Sequence, residues 1–165
     1  MVRMEIQTVV VGGMQLPSLV VLKTRDDDNH RVTLPIKIGP VEALAITMGI
    51  EGDQQKRPLT HDLLSSVINT LGARLSSIAI VDVRGTTFFA TLQLIRTDGS
   101  RVEVDCRPSD AIALAVRRGV PIYVREQVLE TATMPDFQQV ERDSEELELQ
   151  AFHDFVEGLS PEDFS

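Results

Sequence analysis

The stretch from Arg101 to Gly119 constrains the fold most, because its apolar pattern changes from period two to a continuous run across a single Pro-Ser-Asp junction. Up to that junction Val102, Val104 and Cys106 alternate with Arg101, Glu103, Asp105 and Arg107, as a strand with one apolar and one charged face requires. Beyond it Ala111, Ile112, Ala113, Leu114, Ala115 and Val116 are apolar on every side of a helix, which marks a helix enclosed by other elements. Pro108 disfavours helical geometry at Arg107, Ser109 is a good N-cap, and Asp110 complements the positive helix end, so the helix is expected from about Asp110 to Gly119. Strand-end and helix-start charges are thereby brought together at the edge of a core.

The chain repeats this pattern. A shift of 70 residues lays Arg31-Val32 on Arg101-Val102, Leu34 on Val104, Ile36 on Cys106, Ala43-Leu44-Ala45 on Ala113-Leu114-Ala115 and Gly49 on Gly119. Gly39 then falls on Ser109 as the equivalent cap, and the Asp28-Asn29 turn falls on Asp98-Gly99. Strands are expected at residues 4–11, 16–24 and 31–38 in the first copy and at 75–83, 87–96 and 101–106 in the second. Pro40 opens a helix that runs to Gly49, and Thr60 caps another whose stripe is Leu63, Leu64, Val67, Ile68 and Leu71. Residues 121–124 form a short strand after the second repeat helix. The expected fold class is α+β: one domain on a duplicated strand-strand-strand-helix unit with a mainly antiparallel sheet.

Residues 1–130 form that domain and residues 131–165 an acidic link and a C-terminal helix. Asp143 and Glu146 resemble a capping box, and Leu147, Ala151, Phe152, Phe155, Val156 and Leu159 fall on one helical face. Charge follows the same division. Residues 1–124 hold 14 Lys and Arg against 13 Asp and Glu, whereas residues 125–165 hold 2 against 12. A near-neutral body with local arginines is compatible with a polyanionic partner, which a uniformly acidic surface would repel. No apolar run is long enough for a membrane span or secretory leader, and the lone Cys106 among apolar strand positions reads as a small core residue of a reducing compartment. A cytoplasmic location without membrane contact is expected.

The chain lacks a Walker loop, a dinucleotide fingerprint, zinc-ligand spacing, an HExxH motif and a nucleophile elbow. What remains is a carboxylate and histidine set: Glu103 and Asp105 on one strand face, Asp110 at the adjoining helix start, and His61-Asp62 opening another helix. Converging carboxylates suit Mg²⁺ or Mn²⁺, which activate water or stabilise a phosphoryl transition state, and Arg57, Arg107 and Arg117 could hold phosphate. Each acid also has a purely structural alternative. Asp110 and Asp62 suit a helix dipole, and Glu103 and Asp105 suit cross-strand arginines.

Three segments carry a family resemblance: Leu34-Pro35-Ile36-Lys37-Ile38-Gly39-Pro40-Val41-Glu42-Ala43, Arg57-Pro58-Leu59-Thr60-His61-Asp62-Leu63-Leu64, and Arg107-Pro108-Ser109-Asp110-Ala111-Ile112-Ala113-Leu114-Ala115. In this order they resemble the bifunctional nuclease domain family, and Leu159-Ser160-Pro161-Glu162-Asp163-Phe164 is similar to the ending of its bacterial members. The resemblance implies a nuclease acting on RNA and DNA, and it singles out Glu42, His61, Asp62, Arg107, Ser109 and Asp110 as motif positions. Together with the carboxylate set, it makes Asp105, Asp110, His61 and Asp62 the expected catalytic residues. Arg57, Arg107 and Ser109 are the expected substrate-binding residues, and Asp105, Asp110 and Glu42 the expected ligands of Mg²⁺ or Mn²⁺. The alternative is a non-catalytic interaction or regulatory module. A homo-oligomer is expected in either case, since many strands in a small domain leave sheet edges exposed.

Overall fold

In the computed structural model, residues 1–13, 17–25, 32–52 and 57–132 are described. The Asp26-to-Asn29 turn and the acidic C-terminal helix fall outside them. The elements run β1 (Val2–Val10), β2 (Ser18–Thr24), β3 (Thr33–Ile38), α1 (Pro40–Glu51), α2 (Thr60–Thr70), β4 (Ala73–Arg84), β5 (Thr87–Arg96), β6 (Arg101–Cys106), α3 (Pro108–Arg118), β7 (Ile122–Val124) and α4 (Glu126–Ala132). The fold is α+β on one seven-stranded sheet of order β3-β2-β1-β7-β4-β5-β6.

Two antiparallel meanders, β1-β2-β3 and β4-β5-β6, lie at opposite ends of the sheet, and β7 joins them, antiparallel to β1 and parallel to β4. This order explains the enclosed helix. β6, α3 and β7 form a crossover, so α3 must pass over β5 and β4 before β7 re-enters the sheet, and it packs against both strands and against α1 and α2. Residues Ala111 to Ala115 are all 0–2% exposed, as an all-round apolar helix demands. Ile78, Ala79 and Ile80 are consecutive and buried, so β4 is covered on both faces at the centre of the sheet. Its two bulges, between Leu75 and Ser77 and between Ile80 and Asp82, let one long strand follow the twist while keeping apolar residues inward.

The 70-residue shift describes the hairpins but not the helix starts. Leu22 pairs with Leu34 and Leu92 with Val104, as the shift requires. Yet α1 begins at Pro40 and α3 at Pro108, two residues before the position that the shift assigns. Arg107, not Ser109, is therefore the N-cap residue of α3, because Pro108 takes the first helical position where its missing N–H costs nothing. Ser109 is already helical and buried. Thr60 likewise lies inside α2, with Leu59 at the N-cap and Pro58 one residue before it. α1 also continues through Gly49 to Glu51 and ends on Gly52, whose φ of 67° is the left-handed geometry that Gly119 supplies to α3 with a φ of 62°. The short helix α4 lies where a change in composition is the only sequence signal; it buries Val128, Leu129 and Ala132 and packs against β4.

Since the layer closes around α3, Ile112→Ala should cost about 2–5 kcal/mol in urea unfolding. Val41→Ala on α1, at a position 74% exposed, should stay within about 0.5 kcal/mol. Equal losses at the two positions would contradict this account of the core.

Candidate active site

Three helices begin at one edge of the helical layer, and each carries an acid at its third helical position: Glu42 in α1, Asp62 in α2 and Asp110 in α3. That position favours carboxylates, whose charge complements the free amides of the first turn. Packing α1 and α2 against α3 gathers the three starts. Arg107, at the cap of α3, spans two of them. Its Nε donates to Asp110 Oδ2 at 2.8 Å, one terminal nitrogen to Asp110 Oδ1 at 3.1 Å, and the other to Glu42 Oε1 at 2.9 Å. Asp110 Oδ1 also meets His61 Nε2 at 3.2 Å. The Glu42 carboxylate folds back over Gly39, where a Cβ would collide with it. No special backbone angle accounts for Gly39, since its φ is −72°, and the carboxylate is the mobile end of a long side chain that can swing clear of a Cβ.

Burial alone would raise the Asp110 carboxyl, but hydrogen bonds from Arg107 and His61 outweigh it and hold the group below the usual carboxylate range. The same bonds, to Asp110 and then to Glu42, raise Arg107 further above its ordinary value. The Cys106 thiol is pushed up to about 12, first by burial and then by the charges of Asp105 and Asp110. It therefore stays a protonated, unreactive packing group at neutral pH.

Two depressions flank this row. One, of about 290 Å³, is of mixed character, with Lys37, Glu42, Arg107 and Ser109 beside Ile38, Phe88 and Pro108. The other, of about 380 Å³, is a mainly apolar groove of Leu64, Ile68, Leu92, Leu94 and Val104 with His61 and Asp110 at its edge. His61 and Asp110 thus share one groove, and Asp105, from the alternate residue set of β6, is exposed at its rim. Asp62 turns elsewhere: Oδ1 accepts from Arg117 Nε at 2.8 Å and Oδ2 from the Leu59 amide at 3.0 Å. Arg117 is enclosed rather than displayed to solvent, with its side chain 9% exposed, which removes it from the candidate phosphate ligands. Arg57 is exposed ahead of α2.

Among the described residues no group of three His, Cys, Asp or Glu side chains is placed to hold a metal ion. Asp105, Asp110 and Glu42 do not converge as a ligand set, because the Arg107 guanidinium stands between Glu42 and Asp110 and occupies both carboxylates. Sequence spacing could place each acid at a helix start or strand end, but it carried no sign that one arginine would bridge two of them.

A family model described as the bifunctional nuclease domain matches residues 20–136, which includes every helix of this layer. The chain belongs to the bifunctional nuclease domain family. An uncharacterized protein of Mycobacterium tuberculosis, found in two strains, is 40% identical over 164 residues, covering 97% of either chain. From Arabidopsis thaliana, Bifunctional nuclease 2 is 28% identical over 109 residues, 65% of this chain and 32% of that protein. Bifunctional nuclease 1 is 27% identical over 107 residues, 64% of this chain and 32% of that protein. Both the Arg107-Asp110 and the His61-Asp62 motifs of this family member lie inside the matched region. Among its described residues no helix is long and apolar enough to cross a membrane.

The depressed Asp110 carboxyl has a consequence for stability. A carboxyl whose folded pKa lies below its unfolded value of about 3.9 stabilises the fold above that value and loses the contribution as pH falls through the folded pKa. The difference in urea stability between the protein and Asp110→Asn should therefore narrow as pH is lowered from about 6 to about 2. A difference that stays constant over that range would assign the stabilisation to another group.

Proposed function

We propose that the chain hydrolyses phosphodiester bonds of RNA and DNA, with His61 as general base, Asp110 as the group that orients it, and Arg107 as the phosphate ligand. The observation that carries this reading is the His61-Asp110-Arg107 contact chain between a cleft of mixed lining and an apolar groove. The names of the Arabidopsis relatives support the substrate class. With Nε2 facing Asp110, the other ring nitrogen, Nδ1, is left to take a proton from water or from a ribose hydroxyl. Asp110 keeps the ring in one orientation and favours the imidazolium that forms, as a carboxylate does in other histidine-acid pairs.

Arg107 uses three N–H groups on Glu42 and Asp110, and a guanidinium has five. The two that remain sit on a side chain 64% exposed, where they suit a phosphate and the charge that develops on it during attack. Lys37 and Ser109 line the same cleft and extend its polar wall, while the groove offers an apolar surface to a sugar or base. Mg²⁺ or Mn²⁺ would find its nearest carboxylates in Glu42 and Asp110 and would require Arg107 to leave both. The residues as arranged do not fit the ion, and no step is assigned to it.

Purified protein should cleave single-stranded RNA and DNA, and His61→Ala should lower kcat by about 10²–10⁴. Assays with Mg²⁺, with Mn²⁺ and with chelator decide the metal question. Activity that persists unchanged in a folded His61→Ala, Asp110→Asn double variant would end the assignment.

A second reading, a non-catalytic module that assembles with itself, is favoured by the row Leu63, Val67 and Leu71. Leu63 and Val67 lie at i and i+4 on α2, Leu71 follows at its C-cap, and all three are exposed. Light scattering at micromolar concentration tests it: a strict monomer excludes the assembled form, and an inactive oligomer replaces the nuclease reading.

A further inference from the structure

We propose that Arg117 is the positioning residue of the His61-Asp110 pair, an inference that rests on the reading of that pair as the catalytic base and its partner. Arg117 lies at the end of α3, and its enclosed side chain lines neither of the two depressions beside the pair. Its donors go instead to three helices. Nε binds Asp62 Oδ1 in α2, and one terminal nitrogen binds the carbonyls of Ala45 in α1 and Ala113 in α3, at 2.8, 2.8 and 2.9 Å.

The effect falls on α2 because that helix is held less deeply than α3. None of its residues is buried: Ile68 packs against the core and the helix leans on α3 and β4, so the polar bonds of its first turn set where His61 sits. Asp62 closes the first turn by accepting the Leu59 amide with one oxygen and Arg117 with the other. His61 sits between those two anchored residues, and its ring meets Asp110 at 3.2 Å, near the outer limit for an N–H···O bond. A shift of α2 by a few tenths of an ångström therefore separates the pair. Arg117 supplies what a lysine could not: a planar fork whose donors point at three acceptors on different helices. Gly49 keeps the space for that fork, since a Cβ there would stand 2.7 Å from an Arg117 terminal nitrogen and 2.6 Å from Val116 Cγ2.

Proton NMR of the full chain reads this geometry without reference to activity. The His61 Nε2–H, held on Asp110, should give a downfield resonance that disappears in His61→Gln, which separates it from His30 and His153. Arg117→Met and Gly49→Ala should each lose that resonance while the fold persists, and Arg117→Lys should retain it only in part. Ile112→Val, a core change in the same helix, should keep it. If the protein cleaves RNA or DNA, Arg117→Met should lower kcat at least tenfold with KM within twofold, because Arg117 does not touch the substrate. A resonance absent from the unaltered protein, retained in folded Arg117→Met, or lost equally in Ile112→Val overturns the proposal. If Arg117→Met does not fold, Gly49→Ala and Arg117→Lys carry the same test. Loss of all cleavage with the expected spectra would instead count against the nuclease reading and leave the positioning role standing.

Discussion

The enclosure of α3 is the constraint on which the other arrangements depend. Five consecutive residues without a polar side chain can leave water only if something lies on every side of them, and the crossover from β6 to β7 provides the sheet below while α1 and α2 close the flanks. Burying Ile112 and Leu114 contributes on the order of 1.5–3 kcal/mol each. That gain fixes where the polar ends of the helix must emerge. At one end Arg107 and Asp110 meet Glu42 and His61, and at the other Arg117 is drawn into the layer with the helix that carries it. The site is thus a by-product of packing: the apolar middle decides the position and its charged ends inherit it.

Local pattern revealed the elements and missed their exact relations. Period-two runs marked the strands of both meanders, and the apolar run marked α3 as a buried helix. The caps were displaced because Pro108 and Thr60 can occupy a first helical turn as easily as stand before one, and the choice was made by tertiary packing. The insertion of β7 between β1 and β4 was illegible, since Ile122-Tyr123-Val124 says only that a short apolar strand exists. The bulges in β4 were equally silent, because they shift register without changing composition.

The site was half legible for a related reason. Proximity along the chain showed that Arg107 and Asp110 belong together, and family motifs brought in Glu42 and His61. Sequence could not say that Asp62 pairs separately with an enclosed Arg117, or that Asp105 stands at the rim and not beside Glu42. Those facts depend on the angle at which α2 crosses α3, which no local signal encodes. One hint was available: a charged residue that ends a fully enclosed helix, facing a glycine in a neighbouring helix, is itself a candidate for enclosure. Gly49, assigned to a helix end from its place in the repeat, was that glycine.

The two arginines illustrate how exposure divides chemistry from structure. Arg117 is nearly closed off although its partner Asp62 is 39% exposed, so it is the enclosed guanidinium, held on the Ala45 carbonyl as well as on that acid, that makes its bonds expensive to break one at a time. Arg107 forms as many bonds but forms them in solvent, where an ion pair contributes about 0–1 kcal/mol. In the proposed nuclease, a phosphate arriving in the cleft beside Arg107 would therefore draw it partly away from Glu42 at small cost. The bond between Arg107 and Asp110 is bidentate and local to one helix turn, so it would outlast the bond to Glu42. Under such an exchange Glu42 is the carboxylate released, and Asp110 stays oriented toward His61. That order of bond strengths lets one arginine hold the resting site together and still remain available to an anion.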